Sequence, residues 1–89
     1  MKYPDYSTRQ VLALNTQHII LTDGWLQTEI TCYDSDFRLL LYINGALAAY
    51  NHYHGSGCTE MIPVKAGDVI RCNSQYSGGS GALYYFVAR

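Results

Sequence analysis

The sequence predicts an all-β protein, an antiparallel sandwich of about eight short strands. Three observations carry this expectation. Apolar runs of strand length recur at near-regular spacing, with Gly, Asn, Asp, Pro and Ser between them. No window holds apolar residues at helical spacing for about three turns. The segment Leu39 to Tyr50 reads as a complete hairpin, because Asn44-Gly45 tolerates the positive φ angles of a tight turn.

The elements follow in order. Gln10 to Leu14 and His18 to Leu21 are short apolar runs. Thr22-Asp23-Gly24 is a turn into a strand from Trp25 to Tyr33. There Leu26, Thr28, Ile30 and Cys32 share one face, and Trp25, Gln27, Glu29 and Thr31 share the other. Asp34-Ser35-Asp36 is a turn of residues that bond their own backbone. Phe37 to Ile43 and Ala46 to about Tyr50 form the hairpin. Asn51 to Gly57 reads as a polar loop, and Cys58 to Val64 as a strand that Pro63 places at an edge. Lys65-Ala66-Gly67-Asp68 turns into Val69 to Asn73. Ser77 to Gly81 reads as a flexible loop, and Ala82 to Ala88 as the last strand. This spacing fits a sandwich or jelly roll.

Two of these strands are apolar on both faces. Phe37, Leu39, Leu41 and Ile43 point one way, and Leu40 and Tyr42 the other. Leu83, Tyr85 and Val87 oppose Tyr84 and Phe86 in the same manner. A strand covered on one side alternates apolar with polar. The second faces therefore need cover, and in one domain of 89 residues the expected cover is another copy of the chain.

Composition narrows the function. Only 15% of residues are charged, below the roughly 25% of an average domain. The net charge of -1 offers no basic patch for phosphates, so nucleic acid is not an expected partner. No apolar run approaches the length of a transmembrane helix. The start of the sequence lacks a signal peptide's apolar core, which suggests synthesis in the cytoplasm or a piece of a longer protein. The odd cysteine count (Cys32, Cys58, Cys72) and the absence of CxxC favour buried, reduced thiols.

Four segments in this order, Asp23-Gly24-Trp25, Leu41-Tyr42-Ile43-Asn44-Gly45, Pro63-Val64-Lys65-Ala66-Gly67-Asp68 and Tyr84-Tyr85-Phe86, form a pattern. It resembles the C-terminal tip domains of bacteriophage tail fibres and related receptor-binding proteins, small jelly rolls of the C1q/TNF type. The resemblance spans roughly residues 22–89. Residues 1–17 carry no motif of that family and read as a linker or an entry strand. The resemblance implies a homotrimer whose inner sheet holds the first and last strands. It implies a virion component, assembled in the bacterial host cytoplasm, that binds a bacterial surface glycan or protein without catalysis. The assembly residues are then Leu40, Tyr42, Tyr84 and Phe86, expected on one sheet.

Recognition falls to the loops. Tyr50, Asn51, His52, Tyr53 and His54, with Tyr76 and Ser77, combine rigid aromatic rings with small polar residues, the composition of binding surfaces. Packing on neighbouring subunits accounts for the same tyrosines equally well. His52 and His54 would share a side in an extended segment, and three copies about an axis could hold a transition metal. A solvated loop without metal is the plainer reading, and no cofactor is expected. Catalysis has little support. Asp23, Asp34, Asp36 and Asp68 occupy turns, and His18, His52 and His54 have no nucleophile elbow or HExxH near them. Trp25 reads as a core or interface anchor. Two other readings remain: a structural trimerisation or capping module, and a monomeric carbohydrate-binding module.

Overall fold

The computed structural model describes residues 3–32, 37–52, 55–75 and 78–89, without the side chains at 32, 52, 55 and 56. Among the described residues a 3-10 turn (Tyr6–Thr8) precedes nine strands: β1 (Gln10–Leu12), β2 (Gln17–Ile19), β3 (Gly24–Cys32), β4 (Arg38–Ile43), β5 (Ala46–His52), β6 (Gly55–Cys58), β7 (Ile62–Val64), β8 (Val69–Gln75) and β9 (Gly79–Val87). One sheet has the order β1-β9-β3-β6, with β7 also paired to β3. The other has the order β2-β8-β4-β5. All pairings are antiparallel.

Because β6 and β7 lie end to end along β3, they act as one interrupted strand. Counted so, the sandwich has eight strands, ordered first-eighth-third-sixth and second-seventh-fourth-fifth. That is the double Greek key of a jelly roll. Thr59 sits in the interruption and repairs it. The Thr28 N–H donates to Thr59 Oγ1 at 2.9 Å, and the Thr59 N–H donates to the Thr28 carbonyl at 2.9 Å.

The core lies between the sheets. Leu26, Ile30 and Leu83 from one sheet meet Leu39, Leu41, Ile70 and Cys72 from the other, all at most 1% exposed. β4 and β5 form the expected hairpin. Asn44 and Gly45 have φ angles of 52° and 81°, the two positive values of a type I′ turn. A bulge between Leu41 and Tyr42 then shifts the register, so that Tyr42 faces Leu47.

Several expectations need correction. The stretch Asn51 to Gly57 is not one loop, because β5 runs on through His52 and β6 starts at Gly55. Gly79 to Gly81 is likewise strand rather than flexible loop. The glycines are there for room. A Cβ on Gly79 would lie 2.7 Å from Phe37 Cβ and 2.7 Å from the Thr31 carbonyl oxygen.

The third correction concerns assembly. β4 and β9 belong to different sheets. Leu40 and Tyr42 therefore face outward from the four-stranded sheet, while Tyr84 and Phe86 face outward on the opposite side. The four residues cannot form one sheet face.

The N-terminal segment is part of the domain. The Asp5 N–H donates to the Val87 carbonyl at 2.8 Å, and the Arg89 N–H donates to the Tyr3 carbonyl at 2.7 Å. This segment supplies some of the cover that the sequence assigned to another copy. Phe86 is 3% exposed, and the Tyr6 ring meets it edge-on at 5.4 Å between centroids.

Candidate functional site

The two outer faces of the sandwich differ in chemistry. On the four-stranded sheet, cross-strand pairing sets Leu40 between Tyr50 and Asn73, and Tyr42 between Leu47 and Arg71. Leu40 and Tyr42 are half-buried, while Leu47 and Tyr50 are 53% and 49% exposed. Beside Tyr42 lies a recess of about 280 Å³, lined by Gln17, Tyr42, Gly45, Val69, Arg71 and Asn73 among others. Arg71 is held in place there. Its Nε–H donates to Asn73 Oδ1 at 2.7 Å, and an Nη2–H donates to the Asn15 carbonyl at 2.9 Å. Asn15 is fixed in turn by bonds to Ser74 through both its side-chain nitrogen and oxygen. An ordered guanidinium, two amides and an aromatic ring thus share one concavity. Such a surface can hydrogen-bond a polyol and stack on its C–H groups.

The five-stranded sheet presents aromatic and apolar groups. Trp25 faces Phe86 and Pro63 across the ladder, and Tyr84 faces Val11 and Gln27. Val11 is 69% exposed and Tyr6 66% exposed. The Trp25 Nε1 is buried and has no hydrogen-bond partner among the described residues. A small polar cluster interrupts this face. Tyr84 donates its hydroxyl to Glu29 Oε1 at 2.8 Å, and the Cys58 thiol donates to Glu29 Oε2 at 3.8 Å. Arg9 lies over the Tyr84 ring, 4.6 Å from its centroid. The bond to Glu29 raises the Tyr84 pKa above its ordinary value. Desolvation, then the Glu29 charge, raises that of Cys58, which keeps the thiol protonated and poorly nucleophilic. Cys72 is a buried hydrophobe whose pKa desolvation pushes up to about 12.

The turn acids do structural work. Asp23 Oδ1 accepts the Ala66 N–H at 2.8 Å, and Asp68 Oδ2 accepts the Lys65 N–H at 2.8 Å. Asn44 links the hairpin to the same end of the sandwich. Its Nδ2–H donates to Asp68 Oδ1 at 3.0 Å, and its Oδ1 accepts the Val69 N–H at 2.9 Å. The ordered motifs at residues 23–25, 41–45 and 63–68 are therefore one interlocked set of turns.

The proposed recognition residues separate. Tyr50 is exposed on the four-stranded sheet. Asn51 is only 8% exposed, because it points between the sheets, where its Nδ2–H donates to Thr28 Oγ1 at 3.2 Å. It is an interior residue and not part of an outward-facing loop. His52 pairs with Arg38 in the ladder. The His52 side chain and all of Tyr53, His54, Tyr76 and Ser77 lie outside the described residues, so the paired-histidine metal site does too. Among the described residues no group of three metal-ligating side chains comes together.

Sequence reasoning missed Gln17, Arg71 and Asn73. Each is a polar residue in a strand, and only the pairing of β2 with β8 and of β8 with β4 brings them to Tyr42. Period-2 alternation carried no signal for Asn51. From a two-residue turn it pairs Leu39 with Tyr50 and leaves Asn51 outward, and only the bulge between Leu41 and Tyr42 shifts the pairing to Leu39 with Asn51 and turns that side chain inward. Comparison with family models, with curated proteins and with solved structures finds no match.

Proposed function

We propose that this chain is a non-enzymatic attachment module that works as a homotrimer. The five-stranded sheet is turned toward the threefold axis, and the four-stranded sheet faces the target. The carrying observation is the recess at Tyr42, where Arg71, Asn73 and Gln17 converge on an outward aromatic ring. Its preferred target is a glycan of a bacterial surface. Polar side chains on a shallow sheet face suit hydroxyl groups, and three such sites on one axis gain avidity without tight single contacts. The tail-fibre resemblance supports the same orientation, since it places the first and last strands inward. In this chain those strands are β1 and β9, neighbours in the five-stranded sheet.

The test is binding of labelled protein to a panel of bacterial cells and to their isolated surface polysaccharides. Arg71→Ala and Tyr42→Ala should each lower binding at least tenfold on any strain that the wild type recognises. Binding unchanged in both variants would overturn the recess as the recognition site. Binding to no strain would favour a purely structural trimerisation or capping module.

One observation favours a second reading, a monomeric carbohydrate-binding module. Phe86 is already covered by Tyr6 of its own chain. That reading keeps the recess and discards the trimer, so the mass in solution decides between them.

A further inference from the structure

The recess at Tyr42 is not the largest cavity. A second one of about 370 Å³ opens at the seam flanked by β1 and β2, edge strands of opposite sheets. Among the described residues β1 pairs only with β9 and β2 only with β8, so no strand closes the seam. Leu12, Ile20, Tyr85 and Val87 line it, together with Ile19 and Leu21. Those last two are 61% and 84% exposed, an unusual state for large aliphatic side chains beside a cavity.

The polar part of the lining is hydroxyl, amide and imidazole, and it is largely engaged. Tyr85 donates its hydroxyl to the Thr22 carbonyl, and the Thr22 and Tyr85 hydroxyls lie 2.8 Å apart. His18 Nε2 lies 2.9 Å from the Ala13 carbonyl, to which it can only donate. Gln10 completes the set, and among the described residues no Asp, Glu, Lys or Arg lines the space. With no carboxylate, ammonium or guanidinium to meet it, a charged ligand would lose its hydration there at a net cost.

We propose that this seam is a binding site for a small, neutral, mainly apolar molecule of about two rings. The volume sets the size: an apolar cavity of about 150 Å³ accepts one benzene ring, so this one has room for about twice that. The lining sets the polarity. Closure of Ile19 and Leu21 over the ligand would remove their exposed surface from water. The site shares no residue with the Tyr42 recess, so its test is independent of attachment.

The experiment is a titration of the ¹⁵N-labelled full chain with 2-naphthol, followed by amide chemical shifts. Saturable shifts are expected at His18, Ile20, Leu21, Thr22 and Val87, with Kd tighter than about 1 mM. The anionic analogue 2-naphthoate should bind at least tenfold more weakly. Leu12→Trp, which fills the cavity, should abolish binding. Because that variant carries a folding risk, Leu21→Asp places a charge at the exposed rim and should weaken binding at least tenfold. Leu47→Asp, exposed on the four-stranded sheet, should leave it unchanged. The proposal fails if no saturable shift appears, if shifts fall at the Tyr42 recess or across both sheets, or if 2-naphthoate binds equally well. It fails too if neither Leu12→Trp nor Leu21→Asp weakens binding. A fall in sedimenting mass on adding 2-naphthol would identify another copy of the chain as the natural occupant, and would also overturn it.

Discussion

Asn51 shows how one residue changes role when its strand is extended. Its side chain ties β5 to β3 through the core, by way of Thr28, whose hydroxyl in turn donates to Thr59 at 3.3 Å. Buried polar groups in such a chain depend on one another. Thr28→Val should therefore destabilise the fold by about 1–3 kcal/mol, because it leaves the Asn51 amide without its acceptor. The double variant Thr28→Val with Asn51→Leu should lose less than the sum of the two single changes. Urea denaturation of the four proteins measures both effects, and strict additivity would show that the contact is not a coupled pair. Trp25 is the opposite case. Its indole N–H is buried with no partner among the described residues, so the ring contributes there through area. Trp25→Phe should leave stability within about 1 kcal/mol of wild type, since the lost area is offset by removal of an unsatisfied donor. A loss well beyond that range would reveal a partner for the indole.

Among elements, the strands whose turns carry their own chemistry were the most legible. Asn44-Gly45 dictates a type I′ hairpin, and β4 faces as the alternation placed it; the bulge opposite Leu41 and Tyr42 was not legible, and it reverses the facing of β5 beyond Ala48. β6 was invisible because Gly55-Ser56-Gly57-Cys58 has the composition of a loop; it is a strand because β3 offers a ladder partner at each position. The start of β9 was hidden for a related reason. Gly79 and Gly81 read as flexible, yet Phe37 and Leu39 occupy the space their side chains would need. Gly79→Val should accordingly destabilise by about 1–3 kcal/mol through overpacking, read by thermal unfolding. A flexible-loop glycine would show almost no change.

The interlocked turns add a pH dependence. The Lys65 N–H, and next the Asn44 amide, hold the Asp68 pKa below its ordinary 3.8. A carboxylate stabilised in the folded state contributes above the unfolded pKa and loses that contribution as pH falls through the folded one. Stability should decline on acidification from about pH 3.8 downward, and Asp68→Asn should flatten that decline. An identical acid limb in the variant would remove Asp68 from the account.

For the whole molecule, strand spacing supported an all-β sandwich or jelly roll, and only the tail-fibre resemblance singled out the jelly roll. The sequence did not say which strands share a sheet, because double apolarity is the same signal on either sheet. Leu40 and Tyr84 consequently looked like parts of one surface, and the strand order separates them onto opposite faces. The low charge content has a matching division. Some of it is explained within the chain, where Tyr6 covers Phe86, and the rest remains as exposed apolar groups that include Val11, Ile19, Leu21, Leu47 and Tyr50. Gln17, Arg71 and Asn73 were illegible as a site because their convergence depends on pairing between segments far apart in the chain.

The central claim is that the five-stranded sheet, and not the four-stranded one, joins three copies and leaves the Tyr42 recess free. Sedimentation equilibrium of the wild type beside Val11→Glu and Leu40→Glu tests it most directly. The account predicts a mass near 30 kDa, three times the 10.0 kDa chain, for the wild type and for Leu40→Glu, and a folded species near 10 kDa for Val11→Glu. A wild type near 10 kDa, or dissociation by Leu40→Glu with Val11→Glu still trimeric, would contradict it.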